Sequence, residues 1–409
     1  MYREYFDITK DKEAHFFVIS NSPYPAAIYS ESVMFGEGKH KVCIIDQFDG
    51  KRPILLNYEY LVERKNIDLE FMHSIILDSH LVTGLHEYLI RKDGGKPLRA
   101  DVHSAIEKFL EHVSNIKCDY NPIFYMTENF YNVDEDIFIE KVSPVLSSIL
   151  KLHCMDEREF INSKRVLIRQ RDKEHYFNLH QGDSFEECAL NWVTEFSSSH
   201  EKKFYDMQVE LTYACLLKMT LINYRHKKQV NRKNDEFKEF LFKELGALLA
   251  WELNLATHYF SGFTGKLINP DPNMSVEKAK KNLWSTAWDV LLLKIPQMLL
   301  NANYLPEVTL AYVATSEEKL MKVGDLITLE SQYCRSDSFS PMIPTISFNL
   351  KDHQDKYGRD KINELIKANN KMAIERIFEE KGRIISPAGL KCLIQDLEVQ
   401  LSFLCRGST

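Results

Sequence analysis

The sequence lacks an apolar run that could cross a membrane. A membrane helix needs about 18 to 20 consecutive apolar residues. The most apolar stretches, 241–256 and 287–300, are interrupted by Lys, Glu or Asp. The opening MYREYF also lacks the basic region, apolar core and small-residue cleavage site of a secretory signal. We therefore expect a cytoplasmic protein that makes no contact with a membrane.

Several common site motifs are missing as well. The sequence has eight cysteines but no CxxC pair, and no HExxH, GxxxxGK[ST], GxGxxG or GxSxG. These absences argue against a zinc site, a phosphate-binding loop, a dinucleotide-binding fold and a hydrolase nucleophile. Scattered cysteines of this kind are typical of free thiols in a reducing compartment.

An excess of positive charge is also absent. Subtracting 59 Asp and Glu from 52 Lys and Arg gives a net charge of −7, which excludes a protein that coats nucleic acid through bulk charge. The proportions of hydrophobic (44%), aromatic (11%) and charged (27%) residues are those of an ordinary globular chain. The length of 409 residues suggests about two or three units of roughly 150 residues each.

The apolar patterns that are present predict a mixed α/β protein. Short β-prone segments at 15–20, 41–46 and 53–56 predict a small sheet in an N-terminal β-rich region, 1–65. After Pro306, the β-branched apolar run 308–314 predicts a buried strand.

Helical spacing dominates the rest of the chain. It predicts helices over 136–152, 185–224 and 235–260, which fill a helical segment at about 130–275. Another helix is predicted over 275–295. The C-terminal region, 336–409, has helical patterns at 359–380 and 386–404.

Three acidic residues lie within or directly after apolar elements, where an unpaired carboxylate costs several kcal/mol. Asp78 closes an apolar run at 75–77 and precedes a helical pattern, Asp289 lies inside the most apolar helix, and Glu317 follows the strand at 308–314. Carboxylates that converge at strand ends hold hard divalent cations through oxygen. The pattern therefore predicts Mg²⁺ or Mn²⁺.

The order of these elements resembles the PIN-like nuclease superfamily. In that family one Asp closes the first strand, a Glu lies on a following helix, a third acid precedes the penultimate strand, and a T-x-D-x-x-L element carries the fourth. The matching residues here, within IILD, NPIFYMTE, TAWD and TSEEKL, are Asp78, Glu128, Asp289 and Glu317. Glu317 departs from the family pattern, and its longer side chain changes the geometry available to a metal.

The resemblance implies a fold, a reaction and a setting. The fold would be α/β, with a PIN-like three-layer core and a parallel sheet at 66–335, enlarged by the helical insertion. The four acids would be catalytic and would hold Mg²⁺ or Mn²⁺ for phosphodiester hydrolysis of RNA or single-stranded DNA. Many such proteins are bacterial toxins or antiviral effectors.

Each acid also has a structural interpretation. In that interpretation Asp78 caps the following helix, and Glu128 is a surface or salt-bridged helix residue, with Glu252 an equally eligible substitute at the site. Asp289 forms a buried pair with a Lys or His. Thr315 fits a capping box with Glu318, three residues later, which explains those two residues without function.

Contact with a nucleic acid or a protein partner rests on weaker patterns. A basic segment could hold a phosphate backbone, although a solvated helix end explains it equally; it contains Arg225, Lys227, Lys228, Arg232 and Lys233. The leucine stripe at 386–404 would be either core or an oligomer interface. The alternative function is a catalytically degenerate PIN-like protein that acts as a protein-interaction or regulatory subunit.

Overall fold

The computed structural model describes most of the chain. The described residues are 12–20, 22–25, 33–36, 40–92, 98–116, 118–199, 202–226, 229–247, 249–263, 267–268, 270, 273–335, 342–348 and 385–406. The helix predicted at 359–380 lies outside them. No helix in these ranges is both long and apolar enough to cross a membrane.

The described strands form two sheets. They are β1 (Ala14–Val18), β2 (Val33–Phe35), β3 (Val42–Ile45), β4 (Ile54–Asn57), β5 (Glu70–Leu77), β6 (Asp119–Asn121), β7 (Glu307–Thr315), β8 (Ile327–Arg335) and β9 (Ile343–Phe348). One sheet has the order β2-β3-β7-β5-β6, and the other has the order β4-β1-β8-β9.

The described helices are interspersed with these strands. They are α1 (Tyr58–Leu61), α2 (Ser79–Lys92), α3 (Ala100–Ile116), α4 (Ile123–Asn132), α5 (Glu135–His153), α6 (Glu157–Ser163), α7 (Gln170–Leu179), α8 (Phe185–Ser198), α9 (Lys202–Arg225), α10 (Val230–Phe240), α11 (Ala250–Phe260), α12 (Val276–Leu299), α13 (Glu318–Gly324) and α14 (Pro387–Arg406).

Three adjacent strands of the larger sheet run parallel. β5 pairs in parallel with β6 on one side and with β7 on the other, while β3 runs antiparallel to β7. The last residues of β5 and β7 are fully buried, as expected for parallel strands covered on both faces. The predicted α/β class and the predicted strand at 308–314 are confirmed. Because β5, β6 and β7 are parallel, their carboxyl ends meet at one edge of the sheet.

The predicted N-terminal strands do not form a sheet of their own. β1 pairs antiparallel with both β4 and β8, and β3 pairs with β7. The strand residues at 14–57 therefore join sheets completed by residues beyond 306. A local pattern predicts a strand but carries no information on a partner so far along the chain, which is why the small separate sheet was a wrong expectation.

The helical middle differs from prediction in its breaks. The helix predicted over 136–152 is confirmed as α5, but the one predicted over 185–224 is two helices, because Ser199 is extended with φ −72° and ψ 156°. The helix predicted over 235–260 is also interrupted. α10 runs into a wider helical turn that ends at Gly246, whose φ of 64° is a left-handed conformation that glycine adopts without strain.

The C-terminal region is not wholly helical. β9 pairs with β8, so the region 336–409, which was expected to be helical, contains a strand at 343–348. α14 packs against α9 and α12, and its Leu390, Leu397 and Leu401 are buried. These three leucines of the stripe are therefore core, and Leu393 is half-buried.

Candidate active site

The candidate site lies at the edge where the parallel strands end. β5 ends at Leu77, Asp78 follows, and α2 begins at Ser79. The backbone N–H of Asp78 donates to the carbonyl oxygen of Ala314 in β7 at 2.9 Å. This bond extends the ladder between the two strands by one residue, so the Asp78 side chain is fixed beside the end of β7. Ligands of open α/β sheets bind at this kind of edge.

Asp78 is buried, and its carboxylate is held by hydrogen bonds. The Thr315 hydroxyl donates to Oδ2 at 2.7 Å, and the backbone N–H of His80 donates to Oδ1 at 3.4 Å. Burial raises the pKa of Asp78, and the Thr315 hydrogen bond opposes that rise. Asp78 thus touches the first turn of α2, as a capping residue would. Its shorter hydrogen bond joins it to β7 instead.

Glu128 reaches the same edge from α4. Its Oε2 accepts a short hydrogen bond from the Ser79 hydroxyl. Burial raises the pKa of Glu128, and the negative charges of Asp78 and Glu317 raise it further. Its proposed substitute, Glu252, lies elsewhere in a buried ion pair with Lys294 at 2.9 Å and is not available to this edge.

Glu317 forms an ion pair with His80 across the site. Oε1 of Glu317 lies 3.3 Å from Nε2 of His80, and the His80 side chain is 73% exposed. The hydrogen bond that His80 donates to Glu317 raises the pKa of His80 to about 9, and the same contact lowers the pKa of Glu317. The imidazole is consequently protonated at neutral pH. Exposed pairs contribute little to stability, so the pair matters for charge at the site rather than for folding.

Asp289 reaches the site from α12 and lacks the stabilising contacts of the other acids. Burial raises the pKa of Asp289 well above its ordinary value, and the charges of Glu317, Asp78 and Glu128 raise it further. No described residue forms a hydrogen bond or an ion pair with its carboxylate. The buried Lys or His partner considered from the sequence is therefore not found in the described part of the chain.

The four acids fit a hard cation by their chemistry, but their present arrangement is not a finished metal site. Carboxylate oxygens are the ligands that Mg²⁺ and Mn²⁺ prefer. Across the described ranges, no group of three or more His, Cys, Asp or Glu side chains is arranged to hold a metal ion. Glu128 is bonded to Ser79, and Glu317 to His80. In each case one carboxylate oxygen is engaged and the other makes no hydrogen bond or ion pair with a described residue, so a shared cation would compete with these partners or use the second oxygens.

The capping box predicted at Thr315 is wrong. Thr315 is the last residue of β7, and α13 begins only at Glu318, with no side-chain cap from Glu317. The Thr315 hydroxyl accepts from the backbone N–H of Glu317 at 3.0 Å while it donates to Asp78. Sequence reasoning missed that Ser79, His80 and Thr315 contact the acids. Their positions next to Asp78 and at the end of β7 were the available signal.

Thr315→Val tests the link between β7 and Asp78. Valine keeps the shape but leaves the buried Asp78 carboxylate without its hydroxyl donor, so we expect the free energy of unfolding to fall by about 1 to 3 kcal/mol. Urea denaturation measures it. The control is Thr194→Val, where an exposed hydroxyl bonds only to its own helix at Leu190. Equal, small effects in both variants would contradict the role assigned to Thr315.

The basic residues proposed to bind nucleic acid differ in burial and in their partners. Arg225 is paired with Glu236 at 2.5 Å. Lys233 is only 5% exposed, and its ammonium group donates to Asn223 at 2.6 Å. Arg232 is exposed. Lys227 and Lys228 lie outside the described residues. Among the described residues of this segment, Arg232 and the exposed part of Arg225 are open to a nucleic-acid contact.

The site thus combines acids from two strand ends and two helices. Asp78 and Glu317 follow β5 and β7, while Glu128 and Asp289 come from α4 and α12. Neighbouring negative charges raise the pKa of Asp78, Glu128 and Asp289, while the positive charge of His80 opposes the rise at Asp78 and Glu128. Such a site can bind a cation or activate a water molecule. No family model matches this chain, and no curated protein and no solved structure is significantly similar to it.

Proposed function

We propose that the protein is a metal-dependent nuclease that hydrolyses phosphodiester bonds in RNA or single-stranded DNA. One observation carries the proposal. The consecutive residues 78–80 make polar contacts with Thr315, Glu128 and Glu317, which belong to other elements. These contacts gather acids from distant parts of the chain at the edge of the sheet where ligands bind.

Within this proposal, Asp78, Glu128, Asp289 and Glu317 hold Mg²⁺ or Mn²⁺. A cation there would supply a Lewis acid that lowers the pKa of a bound water and stabilises the leaving oxygen. The protein's own contribution is orientation and charge. Thr315 fixes the Asp78 carboxylate, and protonated His80 presents a positive charge to an anionic substrate.

A PIN-like relationship belongs to the same proposal. It is supported by the order of the elements: a strand that ends at Asp78, a helix with Glu128, a helix with Asp289, and a strand followed by Glu317. By analogy alone, the setting would be the cytoplasm and the role that of a toxin or an antiviral effector. The helical segment at about 130–275 would be an insertion in the core.

Cleavage assays test the proposal directly. RNA and single-stranded DNA are incubated with the protein and Mn²⁺, Mg²⁺ or EDTA. We expect cleavage with a metal ion and none with EDTA. Asp78→Asn should lower the rate by about 100-fold or more, while Asp235→Asn, an exposed acid on α10, should not. Metal-independent cleavage, or full activity of Asp78→Asn, would refute the proposal.

The second candidate is a degenerate protein that acts through partners. It is favoured by the contacts that engage Glu128 and Glu317 and by the absence of a group of three metal ligands from the described residues. Calorimetry with Mn²⁺ distinguishes the two candidates. Uptake that is lost in Asp78→Asn supports the nuclease, and no uptake combined with no cleavage supports the degenerate protein.

A further inference from the structure

A groove lies between α9, α12 and α14, away from the acidic edge. Its volume is about 530 Å³, within the range of roughly 300 to 1,000 Å³ that small-molecule sites occupy. The groove is lined by the indole ring of Trp284 and by several charged side chains. α14 contributes one side of the groove, so the packing of the C-terminal helix onto α9 and α12 creates it.

One wall of the groove is a rigid aromatic surface. Trp284 is half-buried, and its ring packs edge-to-face with Tyr213 at 5.2 Å and with Trp288 at 6.3 Å. These contacts hold the indole in one orientation. A fixed indole at a groove wall is a platform on which a planar ring can stack.

The groove is also lined by two exposed lysines. Lys281 on α12 and Lys391 on α14 are exposed, and neither makes an ion pair with a described residue. Lys280 differs, because it is bound to Glu398 at 2.6 Å. Glu398 also accepts a hydrogen bond from Tyr213. Both of its carboxylate oxygens are therefore engaged, and Glu398 does not neutralise Lys281 or Lys391.

One further carboxyl group lines the groove. Burial raises the pKa of Glu210, and the positive charge of Lys391 opposes that rise. The groove therefore carries two exposed ammonium groups, and one of them, on Lys391, interacts with a carboxyl group that burial disfavours in its charged form. In a chain with a net charge of −7, this is a local site for an anion. Ammonium groups bind phosphate through charge-assisted hydrogen bonds.

We infer that this groove binds a nucleotide, with the base stacked on Trp284 and the phosphate held by Lys281 and Lys391. The same chemistry can come from a free nucleotide or from one nucleotide of a strand. Trp284 and Asp289 lie on the same helix, about 7.5 Å apart along its axis at 1.5 Å per residue. The groove is distinct from the acidic edge, and the inference does not depend on the proposed nuclease activity.

Calorimetry on the full chain in EDTA tests the inference. The titrants are the four common nucleoside monophosphates and diphosphates, adenosine, inorganic phosphate and a short single-stranded oligonucleotide. We expect saturable binding of at least one nucleotide. Adenosine alone and phosphate alone should bind about tenfold more weakly or worse, because each retains only one of the two contacts. Phosphate binding as tight as nucleotide binding would overturn the inference.

Variants locate the site. The double variant Lys281→Gln with Lys391→Gln should weaken binding about tenfold or more. Trp284→Leu should do the same, whereas Trp284→Phe, which keeps a stacking ring, should retain most of the affinity. Lys108→Gln, at an exposed lysine on α3, is the matched control. Circular dichroism checks that each variant is folded.

The outcomes separate the two sources and the two proposals. Mononucleotide binding that the groove variants weaken supports a free-nucleotide site. Oligonucleotide binding weakened by the same variants, without mononucleotide binding, supports a subsite for a strand. No binding of any titrant, or binding unaffected by both groove variants, overturns the inference. Binding is measured in EDTA, whereas the proposed cleavage requires a metal ion, so failure of the nuclease proposal remains distinguishable from failure of this inference.

Discussion

Asp289→Asn is expected to stabilise the metal-free protein while it removes stabilisation by Mg²⁺ or Mn²⁺. The Asp289 carboxylate is repelled by three other acids and has no hydrogen-bonding partner among the described residues. A neutral amide of the same shape removes the repulsion, a gain of about 1 kcal/mol, the energy of one pair of like charges about 4 Å apart in bulk water. Urea denaturation without metal measures the gain.

The metal-bound comparison gives the larger effect. A ligand at 100 times its Kd stabilises a folded protein by about 2.7 kcal/mol. The wild type should show such a gain with Mn²⁺, and Asp289→Asn should lose it. The matched control is Asp235→Asn, which changes an exposed acid. An equal metal-dependent gain in Asp289→Asn and the wild type would contradict the assignment of Asp289 to the metal site.

The stability difference between Asp289→Asn and the wild type is also expected to depend on pH. The folded state raises the pKa of Asp289, so the folded state binds its proton more tightly than the unfolded state does. Stability from this group is therefore present at pH values below the ordinary carboxyl pKa and is lost as pH rises toward the raised pKa. The stability difference between Asp289→Asn and the wild type, without metal, should grow as pH rises. A difference that shrinks would contradict this account.

Lys294→Met is expected to destabilise the fold by about 3 to 5 kcal/mol, the cost of leaving a buried charge without its partner. Lys294 and Glu252 are only 5% and 1% exposed and lie 2.9 Å apart. Thr212 donates a hydrogen bond to the same Glu252 oxygen at 2.6 Å. Burial acts to raise the pKa of Glu252, but Lys294 and Thr212 outweigh it and the net shift is downward.

Two comparisons isolate the cause. Adding Glu252→Gln to Lys294→Met removes the stranded charge and should restore much of the lost stability. Lys243→Met breaks an exposed pair with Glu239, whose side chains are 72% and 58% exposed, and should cost at most about 1 kcal/mol. Equal losses in Lys294→Met and Lys243→Met would mean that burial does not determine the cost.

The sequence predicted the strands and helices around the site, but it did not predict the side-chain contacts between them. The strand, acid and helix order at Asp78 is visible because an apolar run and a helical repeat are local patterns. The role of Thr315 is not visible, because its hydroxyl bonds to Asp78, 237 residues away along the chain. The local capping pattern at Thr315 and Glu318 was misleading for this reason. Spacing predicts an element, and only the fold decides which partner a side chain meets.

The partners of the early strands were hidden for a similar reason. β8 has four consecutive buried residues, 331–334, but nothing near it in the sequence indicates that β1 lies beside it. Glu252 and Glu128 looked equivalent because both lie in apolar helices. The structure separates them: Glu252 meets Lys294, and Glu128 meets Ser79.

The central position of β7 has a consequence for the order of events during synthesis. Translation delivers Asp78 and Glu128 long before β7, the strand beside which β5 is placed. A nascent chain that ends before Glu307 therefore has no scaffold on which the four acids can gather. β1 likewise waits for β8 before its second edge is paired. Assembly of the acidic edge is thus postponed until β7 and Glu317 have left the ribosome.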